Sequence, residues 1–335
     1  MKKYVNLFVF VFMIGACLSQ GRAQTKSAVS YKNPVVDIAM PDPTVIKAAD
    51  GYFYVYATES TRNVPIMKSK DLVEWTYCNT AFTNKTRPRF EPKAGIWAPD
   101  INYINGKYVL YYAMSVWGGE QTCGIGVATA NSPQGPFTDH GKMFRSNEIG
   151  VQNSIDPSLL QYEGRNYLVW GSFRGIYVIE LTADGLSIMS GAKKKRIAGT
   201  AFEAVYIHKH GDYYYMFASI GSCCQGVKST YKVVVGRSKK VWGPYKDKTG
   251  KPMLKNGYSL VIGANDHFVG NGHGSQIIQD DAGQDWLLYH GFSRSTPENG
   301  RILLLDQIKW DQEGWPYGEG GSPSYETQKA PVFNN

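Results

Sequence analysis

Five stretches of this chain share one layout, and that repetition limits the fold more than any other property. They open at Met40-Pro41-Asp42-Pro43, Ala98-Pro99-Asp100-Ile101, Ser154-Ile155-Asp156-Pro157, Ala201-Phe202-Glu203-Ala204 and Gly272-His273-Gly274-Ser275, and each runs through an apolar segment and a polar turn into an aromatic-rich strand. The second strands are expected at Tyr52–Thr58, Lys107–Met114, Asn166–Ser172, Asp212–Ala218 and Asp285–His290, since β-branched and aromatic side chains suit a pleated surface. Asn105-Gly106, Glu163-Gly164 and His210-Gly211 supply hairpin turn chemistry before three of them. Gly135-Pro136-Phe137 and Gly243-Pro244-Tyr245 echo one another behind further strands, which brings each unit to four strands. Units of this kind, repeated five times with almost no helical periodicity, predict an all-β, five-bladed β-propeller. A β-sandwich accounts for alternation and turns, but not for five copies.

Before that body, Lys2-Lys3 and the apolar run from Val5 to Leu18 read as an export signal, assigned to residues 1–23, with residues 31–335 as one catalytic domain. Two processing readings stand: cleavage after Gly21-Arg22-Ala23, or a lipobox at Ile14-Gly15-Ala16-Cys17 that leaves Cys17 acylated. The expected location is periplasmic or extracellular, either free or lipid-anchored. No later run is long enough to span a bilayer. Removing Lys2, Lys3 and Arg22 leaves 33 basic against 28 acidic side chains, a net charge of +5. Lys193-Lys194-Lys195-Arg196, the densest basic cluster, reads as a solvated turn, so nucleic acid is not an expected partner. Cys78, Cys123, Cys223 and Cys224 lack the paired CxxC arms of a zinc site, and the sequence leaves three disulfide pairings open.

A propeller places the start of each inner strand beside the central axis, so Asp42, Asp156 and Glu203 should converge although they are far apart in sequence. Asp before Pro often does no more than start a turn. Glu203, between Phe202 and Ala204-Val205, is different, because an unpaired carboxylate in an apolar strand is costly. Glycosyl transfer to water needs one carboxyl group that keeps its proton and a second that is ionised. Three acids in one cleft can separate their pKa values and meet that need. His208 and His210 flank a turn and are expected to be exposed, outside the site.

These residues carry a resemblance over essentially the whole mature body. Asp42-Pro43, Trp97-Ala98-Pro99-Asp100, Asn153-Ser154-Ile155-Asp156-Pro157, Gly171-Ser172-Phe173, Phe202-Glu203-Ala204 and the run Gly221-Ser222-Cys223-Cys224-Gln225-Gly226 through Ser229-Thr230-Tyr231 to Gly236-Arg237-Ser238 resemble glycoside hydrolase family 43. The cysteine-containing run points to its endo-1,5-α-L-arabinanase-like branch. The resemblance implies Asp42 as general base, Glu203 as general acid and Asp156 as the residue that tunes and orients the acid, with inversion at the anomeric centre. It implies sugar contacts from Trp97, Trp117, Asn153, Ser154 and Ser172. It also implies an axial histidine, His273, that holds a calcium ion largely through water.

The expected protein is thus a monomeric arabinan hydrolase acting on plant cell-wall polysaccharide or oligosaccharide, with no organic cofactor. An exo-acting α-L-arabinofuranosidase or β-xylosidase on the same frame is the nearest alternative. A glycan-binding propeller without chemistry is a third.

Overall fold

The computed structural model describes residue 1 and residues 29–334, so the signal segment 1–23 and Cys17 lie outside the described residues. Each repeat folds as one antiparallel sheet with strands in sequence order. Blade 1 is Thr44–Lys47, Phe53–Tyr56, Pro65–Ser69 and Thr76–Thr80. Blade 2 is Gly95–Ile104, Lys107–Ser115, Gly124–Ala130 and Thr138–Arg145. Blade 3 is Ser158–Tyr162, Arg165–Trp170, Ile176–Glu180 and Lys195–Ala198. Blade 4 is Glu203–His210, Tyr213–Ile220, Lys232–Ser238 and Ser259–Ile262. In blade 5 the inner position is split between Phe268–Gly272 and Ile278–Gln279, both paired with Asp285–Ser293, and then come Ile302–Trp310 and Pro316–Tyr317. The expected five-bladed propeller is the observed fold.

The core is divided among the five seams between blades, and strand alternation does the dividing. Successive side chains of a strand point to opposite faces. Tyr54 and Tyr56 therefore pack with Leu110 and Tyr112 between blades 1 and 2, while Phe53 and Val55 pack with Leu288 and Leu303 between blades 1 and 5. Tyr215 and Phe217 face Leu287 and Tyr289 across the seam of blades 4 and 5, whereas Met216 and Ala218 turn to Val205 and Ile207 between blades 3 and 4. The second strand of every blade is buried on both faces over most of its length, which explains the near-continuous apolar runs.

The ring closes through its ends. Ser30–Tyr31 pairs with Gln328–Lys329, and Val36 bridges Leu303. Asn33, itself buried, donates to the Leu305 carbonyl at 2.9 Å and to Asp306 Oδ2 at 3.1 Å, and accepts from the Leu305 amide at 2.9 Å. Helix is confined to Ser146–Ile149 and four single 3-10 turns among the described residues. Cys223 and Cys224 are joined to each other, and Cys78 and Cys123 are free thiols. Lys193, Lys194, Lys195 and Arg196 are all exposed, as expected, but Lys195 and Arg196 begin the outer strand of blade 3 and are not part of a turn.

Candidate active site

Asp42, Ala98, Asp156, Ala204 and His273 all have positive φ, between 41° and 55°. Non-glycine residues avoid that region, and its occupation five times at one repeat position marks the bend by which each chain enters its inner strand. The bend corrects the expected alignment of the acids. Asp42 and Asp156 occupy the bend itself, Glu203 lies one residue before it, and Asp100 lies two residues after it. Asp42, Asp156 and Glu203 consequently line one cavity of about 780 Å³, while Asp100 faces a separate small void of about 20 Å³ on the axis.

Asp42 is pinned from two blades, by Thr58 of blade 1 and by Arg301 and His273 of blade 5. Arg301 Nη1 donates to Oδ1 at 2.7 Å, and the Thr58 hydroxyl donates to Oδ2 at 2.6 Å. His273 Nδ1 lies 3.3 Å from Oδ1. Thr58 also accepts the Ala98 amide at 2.6 Å, tying the second strand of blade 1 to the entry of blade 2. Burial alone would raise the Asp42 pKa, but Arg301, then His273, outweigh it and hold the carboxyl well below the usual range. Burial also pushes His290 down to about 4, so its ring is neutral and Nδ1 accepts the Asp42 amide at 3.0 Å. The 3.2 Å approach of that same nitrogen to Oδ1 is then proximity, not a hydrogen bond.

The other two acids behave in the opposite way. Burial raises both Asp156 and Glu203, and repulsion between them and from Asp42 adds to it. The Ser172 hydroxyl donates to Glu203 Oε2 at 2.5 Å, and Tyr231 adds a second hydrogen bond; both oppose the rise without reversing it. Asp156 Oδ2 accepts the Ala204 amide at 3.2 Å. Asp42 is thus held ionised, while Asp156 and Glu203 share a site that favours keeping a proton. All three residues are 7–8 % exposed, and all three line the cavity.

Trp97, Trp117, Asn153 and Ser172 line the same cavity. Trp117 is 79 % exposed and its ring centre lies 5.4 Å from that of half-buried Trp97, forming an apolar wall. Asn153 Nδ2 donates to the Ser172 hydroxyl at 3.0 Å, so it orients the residue that holds Glu203. Ser154 departs from expectation. It is fully buried, donates to the Val151 carbonyl at 2.7 Å and accepts Trp170 Nε1 at 3.1 Å, because Ile155 and not Ser154 turns toward the cavity. The vicinal disulfide Cys223–Cys224 also lines the cavity.

Arg301, His290, Thr58 and Tyr231 were not picked out as site residues from the sequence. Tyr231 stacks on the His290 ring at 5.6 Å. The available signals were weak: an arginine just before the apolar run Ile302–Leu305, and polar residues ending apolar strands.

His273 also borders the axial void, together with Thr44, Asp100, Ser158, Ser275 and Gln276. Burial pushes the Asp100 carboxyl up to about 6 against hydrogen bonds from Asn102 and the Leu159 amide. Burial lowers the His273 pKa, but Asp42, Asp156 and Glu203 outweigh it and raise it, which favours the protonated ring; with Nδ1 engaged by Asp42, Nε2 is the ligand atom when the ring gives up its second proton. The surrounding oxygens suit a hard cation, and the void has room for about one water-sized body.

Residues 31–316 match the sequence pattern of glycosyl hydrolases family 43. An extracellular endo-α-(1→5)-L-arabinanase of Bacillus subtilis is 36% identical over 289 residues, covering 82% of this chain and 86% of that protein. An extracellular exo-α-(1→5)-L-arabinofuranosidase of Cellvibrio japonicus is 36% identical over 303 residues, covering 82% and 85%. Among solved structures, Cellvibrio cellulosa α-L-arabinanase complexed with arabinohexaose superposes with a TM-score of 0.77 at 33% identity, covering 86% of this chain and 98% of that one.

Proposed function

The chain belongs to glycosyl hydrolase family 43, and from that premise we propose that it cleaves α-1,5-linked L-arabinan with inversion, as an arabinan endo-1,5-α-L-arabinosidase. It is a glycoside hydrolase, and its relatives act on arabinan and its oligosaccharides. One observation carries the reading: a carboxylate held ionised by Arg301 lines the same cavity as a buried acid pair whose pKa values are raised. Asp42 takes a proton from water, which attacks the anomeric carbon directly. Glu203 protonates the departing oxygen, and Asp156 raises and orients that acid. The Trp97–Trp117 wall covers the apolar face of a furanose ring, and Ser172 holds Glu203 in its donating geometry.

A calcium ion beside His273, taking the oxygens of Asp100, Thr44, Ser158 and Gln276, would supply fixed positive charge near the acids. The protein is read as an exported monomer, with residues 1–23 as the signal and Cys17 as the alternative anchor. No helix among the described residues is long and apolar enough to cross a membrane, and both relatives named above are extracellular.

The test compares linear arabinan, arabino-oligosaccharides and aryl xylosides, following product size after brief digestion and the first anomer by NMR. Mixed oligosaccharides released early from linear arabinan with inverted configuration are expected. Arabinose alone would move the enzyme to the exo-acting alternative, and a retained anomer would remove direct attack by water. Glu203→Gln should lower arabinan turnover by about 10²–10⁴-fold while substrates with good leaving groups are spared. Equal losses on both would take the acid role from Glu203.

A further inference from the structure

At the far end of the blade 4 inner strand, a second cluster of ionisable groups takes no part in the cleft. His208 and His210 are two residues apart on Glu203–His210, so strand alternation puts both rings on one face. Asp285, which begins the second strand of blade 5, meets them across the seam. Their ligand atoms all lie within 4.8 Å of one another, and His210 Nδ1 is 3.6 Å from Asp285 Oδ2. His208 stands five residues beyond Glu203, roughly 17 Å along an extended strand.

Three features separate this cluster from an ordinary surface histidine pair. The Asp285 side chain is only 4% exposed, and its hydrogen bonds come from neutral donors, Trp310 Nε1 at 2.8 Å to Oδ2 and Gln279 Nε2 at 3.2 Å to Oδ1. No lysine or arginine forms an ion pair with it among the described residues; its one such partner is His210. A buried carboxylate without a cation is costly, so the place calls for positive charge. His210 is also stacked on Trp310 at 3.7 Å and 9°, which fixes its ring plane, and its side chain is 37% exposed, which leaves a way in from solvent.

We propose that His208, His210 and Asp285 bind a transition-metal dication of the zinc class, clipping blade 4 to blade 5. Two imidazole nitrogens and one carboxylate oxygen suit such an ion, with water completing the shell, and they do not suit calcium. Ligand atoms around tetrahedral zinc lie about 3.3 Å apart, so the His210–Asp285 pair is nearly in place and the widest pair closes by side-chain rotation of about 1.5 Å. The Trp310 and Gln279 donors orient the carboxylate as outer-shell partners do.

Calorimetric titration of the chelator-treated full-length protein with zinc chloride should find one ion per chain, and saturation should raise Tm by several degrees, because only the folded seam assembles the ligands. Calcium should give neither effect at this cluster. His208→Gln and, separately, Asp285→Asn should weaken zinc binding by about tenfold or more and cancel the Tm rise, with arabinan hydrolysis of His208→Gln unchanged. His210→Gln is the substitute should either variant fail to fold. Absence of saturable binding up to about 1 mM zinc, or undiminished binding in His208→Gln, would overturn the proposal.

Discussion

Asp42 and Glu203 are both buried carboxyl groups at the inner-strand entries of blades 1 and 4, yet their surroundings drive them apart. The difference lies in what each touches: Asp42 meets the Arg301 guanidinium and the His273 ring, whereas Glu203 meets neutral hydroxyls and two other acids. Replacing Arg301 by Met should therefore raise the Asp42 pKa. A base with a higher pKa needs a higher pH to be ionised, so the acidic limb of kcat/KM should move up by roughly 1–2 pH units, with the alkaline limb left in place. An unmoved acidic limb would assign it to another group. Ser172→Ala acts on the other limb. Losing a donor to the Glu203 carboxylate raises the acid further, so the alkaline limb should shift to higher pH while its maximum falls. The three acids could be found in the sequence because the repeat aligns them, whereas Arg301 and His290 reach Asp42 from blade 5 by contacts between blades, which no local pattern encodes.

At the scale of elements, strand alternation assigns each apolar side chain to one of two seams. Leu110, wholly buried in the second strand of blade 2, belongs to the seam with blade 1. Leu110→Ala should destabilise by about 2–5 kcal/mol, read from denaturant midpoints with an unchanged slope, since packed inner strands cannot collapse onto the void. Tyr103→Ala, on the neighbouring inner strand but 55% exposed, should stay within about 0.5 kcal/mol and serves as the control. The strand centres and hairpin turns were readable because composition and turn chemistry are local. The register of the entries was not. Aligning the four carboxylates by sequence hides the fact that the shared element is a backbone bend, and a one- or two-residue offset decides whether an acid faces the cleft, as Glu203 does, or the axial void, as Asp100 does. Ser154 shows the same limit, because the bend around Asn153 and Asp156 turns its hydroxyl inward.

Ring closure joins stability to chemistry across the whole molecule. Arg301 and His290 come from blade 5, while Asp42 precedes blade 1, so the base is assembled at the seam where the chain's two ends meet. Asn33 is a central tie of that seam, with its amide pairing both backbone groups of Leu305 and the carboxyl of Asp306. Asn33→Ala leaves those groups buried with fewer partners, a loss of about 2–4 kcal/mol. For a chain of this size that should lower Tm by roughly 3–6 °C. Turnover at 25 °C should nevertheless stay near wild type, because Thr58 and Arg301 still hold Asp42 and no Asn33 atom reaches the cavity. Thermal unfolding and initial rates on arabinan, measured on the same preparation, check both halves. An unchanged Tm would move the closure to the Ser30–Tyr31 and Gln328–Lys329 pair, whereas a fall in rate at 25 °C without unfolding would mean that the seam sets the position of the base as well as the stability of the ring.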